Sequence, residues 1–347
     1  MPEVDVAVVG AGIMGAATAW WLARSGATVA LVERFTIGHP HGSSHGRSRI
    51  FRLSYPDALH VGMAQDALPL WRELEAEAGE TLLDRGGGLD TGAGLEERAR
   101  ALAGRGAAFE LLDRDAVAAR FPQVSLPRGG TALHQPDGAV IHAGRAWHAL
   151  ARVASAHGAR LLEGTRVLGI GTEGGGAVVR TAGEDLSARA VVVTAGGWAR
   201  GLLAGAGVDL PAVTTRESVA YFALDGGGPP PPTLVEWGGG GAHYALPSPG
   251  EGLKAGCHRA SHVVDPDSAA AVDAAEIGRI ADWVRERFPA ASPEAHRAET
   301  CLYTNTADEG FILERHGPLV VGSACSGHGF KFAPLIGRRL AALALER

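Results

Sequence analysis

A glycine-rich turn between an apolar strand and a helix constrains this fold more than any other feature of the sequence. Val4 to Val9 reads VDVAVV, and such a near-continuous apolar run is typical of a central parallel strand buried on both faces. GAGIMG follows at positions 10–15, then a helix pattern that ends at Gly26 and a second apolar strand over 27–32 that ends before Glu33. A G-x-G-x-x-G in that setting predicts the dinucleotide-binding turn of a Rossmann-type domain.

Each part of this turn has a physical role in holding a dinucleotide. Gly10 permits the sharp turn, Gly12 lets the backbone approach a pyrophosphate, and Gly15 lets the helix pack closely on the strand. The helix N-terminus offers free N–H groups and a positive dipole end to the phosphates. Glu33 is predicted to accept hydrogen bonds from a ribose, with Arg34 beside it at the cofactor. The motif alone does not distinguish NAD from FAD.

Composition excludes several classes of partner. With 347 residues, the chain has room for roughly two domains. A net charge of −6 without a basic stripe argues against nucleic acid. No apolar run approaches the ~18 residues of a membrane span, and no basic signal-peptide region begins the chain, so we expect a cytoplasmic protein without a membrane partner. The three cysteines are too few for a disulfide framework, and His39, His41 and His45 have no carboxylate close by in sequence, so no metal site is predicted.

The segment GSSHGRSRIFR at 42–52 combines glycines, hydroxylated residues, a histidine and three arginines. It resembles the GSSHGxxRxxR segment of the monomeric sarcosine oxidase and N-methyltryptophan oxidase family, in the D-amino-acid-oxidase superfamily of flavoproteins. The resemblance favours FAD and places along it Ser43, Ser44, His45 and Arg49. It also implies that Arg49 lies near the flavin ring and that Arg52 anchors the substrate carboxylate, which suits the planar guanidinium. Surface salt bridges or phosphate contacts remain the alternative for these cations.

Two further segments resemble the same family. VVVTAGGW at 191–198 is an apolar strand whose end passes close to FAD in the family, which implies contacts from Ala195, Gly196 and Trp198. The alternative is an ordinary buried strand that ends in a turn. In HYALPSPGEGLKAGCHRAS at 243–261, the resemblance implies a substrate-pocket tyrosine, a lysine that activates oxygen and a catalytic histidine, namely Tyr244, Lys254 and His258. A fixed cation in a dry site stabilises the charge that develops on oxygen, whereas the alternative for Lys254 is a solvated strand lysine.

The last fifty residues carry two more resemblances. SGHGFKF at 326–332 resembles the family's flavin-binding loop, which implies cofactor contacts from Gly327, His328 and Gly329 and a lysine, Lys331, that contacts the cofactor and pairs with Arg52 on the carboxylate. CLYTNT at 301–306 resembles the segment whose cysteine forms a thioether to the flavin 8α-methyl carbon, with Tyr303 in the substrate pocket. Nearby cations such as Arg49 or Lys331 would lower the pKa of the Cys301 thiol, a hypothesis for its reactivity. A small buried hydrophobe is the alternative for Cys301.

These patterns predict an α/β fold with an α+β second domain. A Rossmann-type FAD-binding domain with a parallel sheet is assigned to 1–80, 142–210 and 300–347, and a substrate-binding domain with a mixed or antiparallel sheet to 81–141 and 211–299. Helices are predicted over 56–79, interrupted by Pro69 and with Trp71 in the core, over 144–157 and 272–288, and after Pro334. Three glycines from Gly226 and four prolines from Pro229 predict a stiff connecting loop.

The resemblance implies an FAD-dependent oxidase of secondary amino acids such as sarcosine, monomeric and acting with oxygen. Hydride would pass from the α C–H to flavin N5, water would hydrolyse the imine, and oxygen would be reduced to hydrogen peroxide. The alternatives are the same chemistry on a bulkier N-methyl, cyclic imino or glycated amino acid, a flavin dehydrogenase that does not use oxygen, and a non-enzymatic flavin-binding protein. The chain ends sooner after its last helix than the family leads us to expect, and the sequence does not fix the substrate.

Overall fold

The computed structural model describes residues 3–224, 228–238, 241–258 and 262–346. The start of the predicted stiff loop at Gly226 and the last three residues of the 243–261 segment therefore lie outside the described residues. Within the described ranges, no helix is both long and apolar enough to cross a bilayer.

The described part of the chain contains eight α-helices, which alternate with strands as an α/β chain requires. They are α1 (Ile13–Arg24), α2 (Ala58–Ala78), α3 (Leu95–Gly104), α4 (Arg114–Arg120), α5 (Ala143–Ala156), α6 (Ala199–Gly205), α7 (Ala274–Arg287) and α8 (Ala333–Leu345). Short 3-10 turns span Gly196–Trp198 and Phe330–Phe332. Four of the five predicted helices are confirmed to within a few residues, and the fifth, α2, differs at one point.

Proline does not interrupt α2, so the predicted break at Pro69 is wrong. The proline removes one N–H from the helix ladder, but the residues that follow it, Leu70, Trp71 and Leu74, are all buried. Packing of that apolar face outweighs the single lost hydrogen bond. Trp71 is 0% exposed, which confirms its predicted place in the core.

Nineteen strands lie in the described ranges. They are β1 (Val4–Val9), β2 (Val29–Val32), β3 (Ser48–Phe51), β4 (Leu83–Asp84), β5 (Gly88–Gly92), β6 (Glu110–Asp113), β7 (Thr131–Gln135), β8 (Ala139–His142), β9 (Arg160–Leu162), β10 (Val167–Glu173), β11 (Gly176–Thr181), β12 (Leu186–Val193), β13 (Val213–Phe222), β14 (Thr233–Gly238), β15 (Gly241–Ser248), β16 (Gly252–His258), β17 (Arg297–Asn305), β18 (Ile312–His316) and β19 (Leu319–Ser323).

The first sheet is built on a parallel core in the order β9-β2-β1-β12-β19. The hairpin of β10 and β11 continues it beside the first half of β12, and β18 pairs antiparallel with β19. Helices α1, α5 and α8 pack together on one face, where the largest apolar cluster of the described residues lies. The sheet confirms the predicted Rossmann-type arrangement and places the carboxyl end of β1 beside those of β2 and β12.

The second sheet has the order β17-β13-β16-β15-β14-β5-β7-β6 and is mixed, because β14 and β5 run parallel while the other pairs are antiparallel. Helices α4 and α7 cover the side where a second apolar cluster forms. These strand directions confirm the expected mixed or antiparallel sheet, and they make it a mixed one. The predicted domain boundary at residue 300 falls inside β17, and the domain division itself stays a prediction. A third, small sheet joins β3, β8 and β4 between the two.

Candidate functional site

The turn between β1 and α1 forms a cradle at the edge of the parallel sheet. A Cβ placed on Gly15 would lie 1.9 Å from the Gly10 carbonyl oxygen, so only glycine allows the helix to begin this close to the strand. Ile13 N–H donates to Ser44 Oγ at 2.9 Å, and Ala11 N–H donates to Glu33 Oε2 at 2.9 Å. The buried Glu33 therefore lies at the cradle, and its oxygens keep lone pairs for a further donor. This donor and acceptor set fits a dinucleotide.

A cavity of about 780 Å³ extends from this cradle to the mixed sheet. All but two of the predicted site residues lie on its wall. These are Gly10, Gly12, Glu33, Arg34, Ser43, Ser44, Arg49, Arg52, Ala195, Gly196, Trp198, Tyr244, Lys254, His258, Cys301, Tyr303, Gly327, His328, Gly329 and Lys331. Gly15 is set behind the wall by its packing on Gly10, and His45 is buried beside it.

Arg34 and Trp198 lie near the cradle end of this cavity. The Arg34 guanidinium and the Trp198 indole N–H both donate to Asp267 Oδ1, at 2.7 and 3.0 Å. The Arg34 Cζ is 5.9 Å from the Trp198 ring centroid. Asp267 thus holds the two side chains next to one another beside the place predicted for the nucleotide.

Cys301 lies on β17 of the mixed sheet and faces the loop after β2. Its Sγ is 3.7 Å from the Ser43 carbonyl oxygen and 3.8 Å from Arg49 Nη2. Burial raises the pKa of the thiol, while Arg49 and then Lys254 act to lower it, and burial outweighs both. The hypothesis of a lowered thiol pKa is therefore wrong for this structure, and the second cation acting on the thiol is Lys254, not Lys331.

Lys254 is 4% exposed on β16, and its amine, Arg49 and Glu299 all lie around Gly46. A Cβ on Gly46 would lie 3.5 Å from Lys254 Nζ, 3.5 Å from Glu299 Oε1 and 3.3 Å from Arg49 Nη1. Burial, and next the charge of Arg49, lower the pKa of Lys254 to about 7. The strand lysine is thus buried, so the alternative of a solvated strand lysine is wrong, and its role with oxygen stays a prediction.

His45 lies in the same group of charges but behind the cavity wall. Burial, followed by the like charge of Arg49, lowers the pKa of its imidazole to about 4. Its Nε2 has no hydrogen-bond partner among the described residues. The ring is therefore neutral at physiological pH, and its predicted contact with the cofactor would be indirect.

Arg52 and Lys331 come together on the ring of Tyr55. The Arg52 Cζ is 4.1 Å and the Lys331 Nζ 5.6 Å from the Tyr55 centroid. Lys331 Nζ donates to the His328 carbonyl oxygen at 2.7 Å, and the Trp71 indole donates to the Lys331 carbonyl oxygen at 2.7 Å. Burial, and then the like charge of Arg52, hold the pKa of Lys331 well below its usual range. A guanidinium and a lysine that a bound anion would help to protonate lie against one aromatic ring, and this arrangement suits a carboxylate ligand.

Tyr244, Tyr303 and His258 form the next part of the wall. The two tyrosines share a side-chain hydrogen bond, and the His258 ring centroid is 5.8 Å from that of Tyr303. Gly327 has φ +72°, and a Cβ on it would lie 2.2 Å from the Tyr303 ring. The backbone of the Ser326–Gly329 loop therefore lies directly against these side chains, which any larger residue at 327 would displace.

A second polar group lies at the same cavity and was not predicted from the sequence. The Arg98 Cζ is 4.0 Å and the Arg52 Cζ 5.1 Å from the centroid of Trp237, whose indole N–H donates to Asp90 Oδ1 at 2.9 Å. Arg98 falls on the apolar stripe of α3, between Leu95 and Leu102, and an arginine at a core-facing helix position was the available signal. No sequence pattern identified Asp90 or Trp237, because their proximity depends on the pairing of β5 with β14.

Known proteins resemble this chain over nearly its whole length. The family described as FAD dependent oxidoreductase matches residues 5–343. A peroxisomal sarcosine oxidase of Homo sapiens is 34% identical, over 99% of this chain and 92% of that protein. A monomeric sarcosine oxidase of Bacillus sp. (strain B-0618) is 32% identical, over 98% of this chain and 92% of that protein. NikD, an unusual amino acid oxidase essential for nikkomycin biosynthesis, has a solved structure that matches 100% of this chain and 95% of its own at a TM-score of 0.89 and 29% identity.

Proposed function

Since this chain belongs to the FAD dependent oxidoreductase family, we propose that it oxidises secondary amino acids such as sarcosine and releases hydrogen peroxide. The strongest support for this function comes from the layout of the cavity. A single cavity joins a dinucleotide cradle at one end to Arg52 and Lys331 at the other, and a buried lysine, Lys254, lies on its wall. FAD, when bound here, would supply the acceptor for a hydride, that is one proton and two electrons, from a C–H next to the substrate amine, with oxygen as the final acceptor of those two electrons.

Arg52 and Lys331 bind and orient the substrate. Arg52 offers a fork of donors to the carboxylate, and Lys331, which lies near the same Tyr55 ring, supplies a further donor. Fixing the carboxylate at two points leaves the amine and the α C–H with few orientations, which is how positioning accelerates a transfer. The hydroxyls of Tyr244 and Tyr303 contribute polar contacts beside it, and the substrate reacts as its free amine.

Lys254 acts at the step that reduces oxygen. A cation held in a dry site stabilises negative charge that develops on oxygen, and the lysine is already fixed before that charge forms. Water then hydrolyses the imine product, and formaldehyde is released when the hydride has left from the N-methyl carbon, because that carbon is then the imine carbon.

We also propose that Cys301 holds FAD through a thioether to its 8α-methyl carbon. The thiol lies on the cavity wall, 3.8 Å from the Arg49 guanidinium, whose charge offsets part of the rise in pKa that burial causes. Forming the bond removes one hydrogen from the thiol and one from the methyl group, and oxygen finally accepts the two electrons. The test is acid precipitation of the holoenzyme, which should leave a yellow pellet. Cys301→Ser should give a colourless pellet, and Cys325→Ser, whose Sγ lies 3.9 Å from Ser43 Oγ, should stay yellow.

The experiment that tests the function is a peroxide assay on a panel of amines. Sarcosine, larger N-methyl amino acids, cyclic imino acids and glycated amino acids separate the substrate alternatives. Peroxide from at least one secondary amine is expected, with a fall of about 100-fold or more in kcat/KM for Arg52→Ala. If no amine of the panel gives peroxide and NADPH reduces the flavin anaerobically, the dehydrogenase alternative would replace the oxidase.

Two coarser properties are proposed with this activity. We infer a monomer, which light scattering on a size-exclusion column tests, because a relative that covers nearly the whole chain is named a monomeric enzyme. A cytoplasmic location remains the prediction from the sequence, and another relative is named for the peroxisome.

A further inference from the structure

Arg98 is a buried cation on the cavity wall that the proposed reaction does not use. It is 6% exposed, and the nearest aromatic ring is that of Trp237, with the Cζ 4.0 Å from the centroid. Arg52, the proposed carboxylate anchor, lies 5.1 Å from the same ring. Two guanidinium groups therefore share one indole at the substrate end of the cavity.

The fold holds this guanidinium firmly but leaves part of it free. Its Nη1 donates to the carbonyl oxygens of Gly94 at 3.0 Å and Ala93 at 3.3 Å. A Cβ on Gly94 would lie 2.5 Å from that nitrogen, so glycine makes the close approach possible. Nε of Arg98 is buried and has no hydrogen-bond partner among the described residues. A buried donor without a partner is uncommon in native proteins, and here it belongs to a group on a cavity wall.

The nearby carboxylate does not neutralise Arg98 by direct contact. Asp90 accepts hydrogen bonds from Trp237 Nε1 on one oxygen and from Gln135 Nε2 on the other, both at 2.9 Å. No carboxylate of the described residues forms an ion pair with Arg98 within 4.0 Å. Burial lowers the pKa of Arg98, Asp90 raises it, Arg52 lowers it again and Glu97 raises it, so two carboxylates compensate the guanidinium without an ion pair to it.

We propose that Arg98 binds a second acidic group, so that the preferred substrate is an N-alkyl amino acid whose side chain carries a carboxylate. The proposal rests on the proposed oxidase function. Arg52 and Lys331 hold the α-carboxylate, and the side-chain carboxylate reaches the free edge of Arg98 across the face of Trp237. A carboxylate accepts from two nitrogens of one guanidinium edge, and Arg98 has one such edge unoccupied by backbone.

The first test compares an acidic substrate with its neutral amide. N-methyl-DL-glutamate and N-methyl-DL-glutamine have nearly the same shape, and kcat/KM for peroxide release is measured for both. The wild-type enzyme should prefer the acid by roughly 10- to 100-fold, the usual range for a charged hydrogen bond. Arg98→Met should bring the ratio close to one, and Arg98→Lys should retain part of the preference because it keeps the charge. Equal rates on acid and amide in the wild type would overturn the proposal.

A control on the same helix separates binding from folding. Arg100 is exposed on α3, and Arg100→Met should leave the acid-to-amide ratio unchanged. The melting temperature and flavin content of each variant are measured alongside. If Arg98→Met lowers the melting temperature but keeps the ratio of the wild type, the residue is structural and the proposal fails.

Calorimetric titration of the holoenzyme keeps this test independent of turnover. 2-(Methylthio)pentanedioate and 2-(methylthio)pentanoate carry sulfur in place of the amine, so neither can form an imine. The dicarboxylate should bind the wild type about tenfold more tightly or better, and Arg98→Met should abolish the difference. An enzyme that releases no peroxide but shows this difference would refute the oxidase and retain the acidic ligand. An enzyme that oxidises sarcosine but binds both analogues equally would refute only the role of Arg98.

Discussion

Lys254 and Lys331 are two buried lysines whose surroundings differ. Lys254 lies beside Arg49 and Glu299, and its pKa falls to about 7. Lys331 has Arg52 nearby and donates to a backbone carbonyl, and its pKa lies well below the usual range. The first would meet oxygen and the second a carboxylate, so each should respond to pH in its own step.

Reoxidation of the reduced enzyme should depend on the protonation of Lys254. A group with a lowered pKa is charged below that pKa and neutral above it, so the rate with oxygen should fall as pH rises through it. The value is about 7 in the protein alone and moves upward beside the negative charge of a reduced flavin. Stopped-flow mixing of anaerobically reduced enzyme with oxygen between pH 6 and 9 measures this. Lys254→Met should be about 100-fold slower and independent of pH, and a Met variant as fast as the wild type would contradict the role.

Binding of a carboxylate should make Lys331 take up a proton. Without a ligand, burial and Arg52 favour the neutral amine, whereas a bound carboxylate favours the ammonium. Uptake should therefore appear at any pH that lies above the lowered pKa of the free enzyme and below the pKa that the bound carboxylate restores. Calorimetry of a carboxylate analogue in two buffers of different ionisation enthalpy counts the protons. Lys331→Met should lose the uptake and Lys254→Met should keep it, and a wild type that binds without uptake would refute the assignment.

At the scale of elements, the cradle depends on how α1 packs against α8. A Cβ on Gly337 of α8 would lie 2.6 Å from the Ala17 carbonyl carbon of α1, closer than side chains normally approach. The two helices therefore meet backbone to backbone, and α8 supports the helix whose N-terminus forms the cradle. Because the backbones of α1 and α8 are in contact, the distance between α1 and the sheet is fixed.

Gly337→Ala should destabilise the protein although alanine favours helices. The intrinsic preference is worth about 1 kcal/mol, and overpacking of a close helix contact costs about 1–3 kcal/mol, so the net change in the free energy of unfolding is negative. Gly278 of α7 gives the matched control, because a Cβ there meets nothing within 4 Å. Gly278→Ala should raise the stability by up to about 1 kcal/mol. Urea unfolding measures both, and equal effects of the two substitutions would contradict this packing.

An element could be predicted from the sequence when the residues that determine it lie close together along the chain. Val4–Val9 was predicted to the residue because its apolar run and the glycine turn lie next to each other in sequence. The mixed sheet was predicted only as a type, because the pairing of β14 with β5 joins residues more than a hundred positions apart. Arg52 and Lys331 were paired through family resemblance, whereas Arg98 was missed because its role depends on Trp237 from a distant strand. A pattern of neighbouring residues gives no information about contacts between distant strands.

At the scale of the whole molecule, buried neutral histidines tie stability to pH. The pKa of His45 falls to about 4 and that of His328 to about 2, in both cases first through burial and then through a neighbouring cation. In the unfolded chain both take up protons near pH 6.5. Below that pH the unfolded state binds more protons than the folded state, so stability falls as the pH falls.

The free energy of unfolding should therefore drop between pH 6.5 and 5. Each of the two histidines contributes about 0.7 kcal/mol per pH unit at pH 6.5, where the unfolded ring is half protonated, and about 1.4 kcal/mol per pH unit at pH 5. Urea unfolding at the two pH values measures the slope. His328→Gln should reduce it by about half of their joint contribution, whereas His316→Gln, at an exposed histidine, should leave it unchanged. A slope that His328→Gln does not alter would show that this ring is protonated in the folded state.

Both lysines of the site are also the only lysines of the chain, since the other 30 basic residues of the Lys and Arg total are arginines. Both are at most 5% exposed. Amine-selective reagents such as activated esters, formaldehyde with a reductant or glutaraldehyde therefore meet no lysine on the surface of the folded protein. Mass spectrometry identifies which of the two lysines has been acylated. It therefore reports whether the cavity wall has opened at Lys254 or at Lys331. Immobilisation through surface lysines is closed for the same reason, and coupling through carboxyl groups offers an alternative.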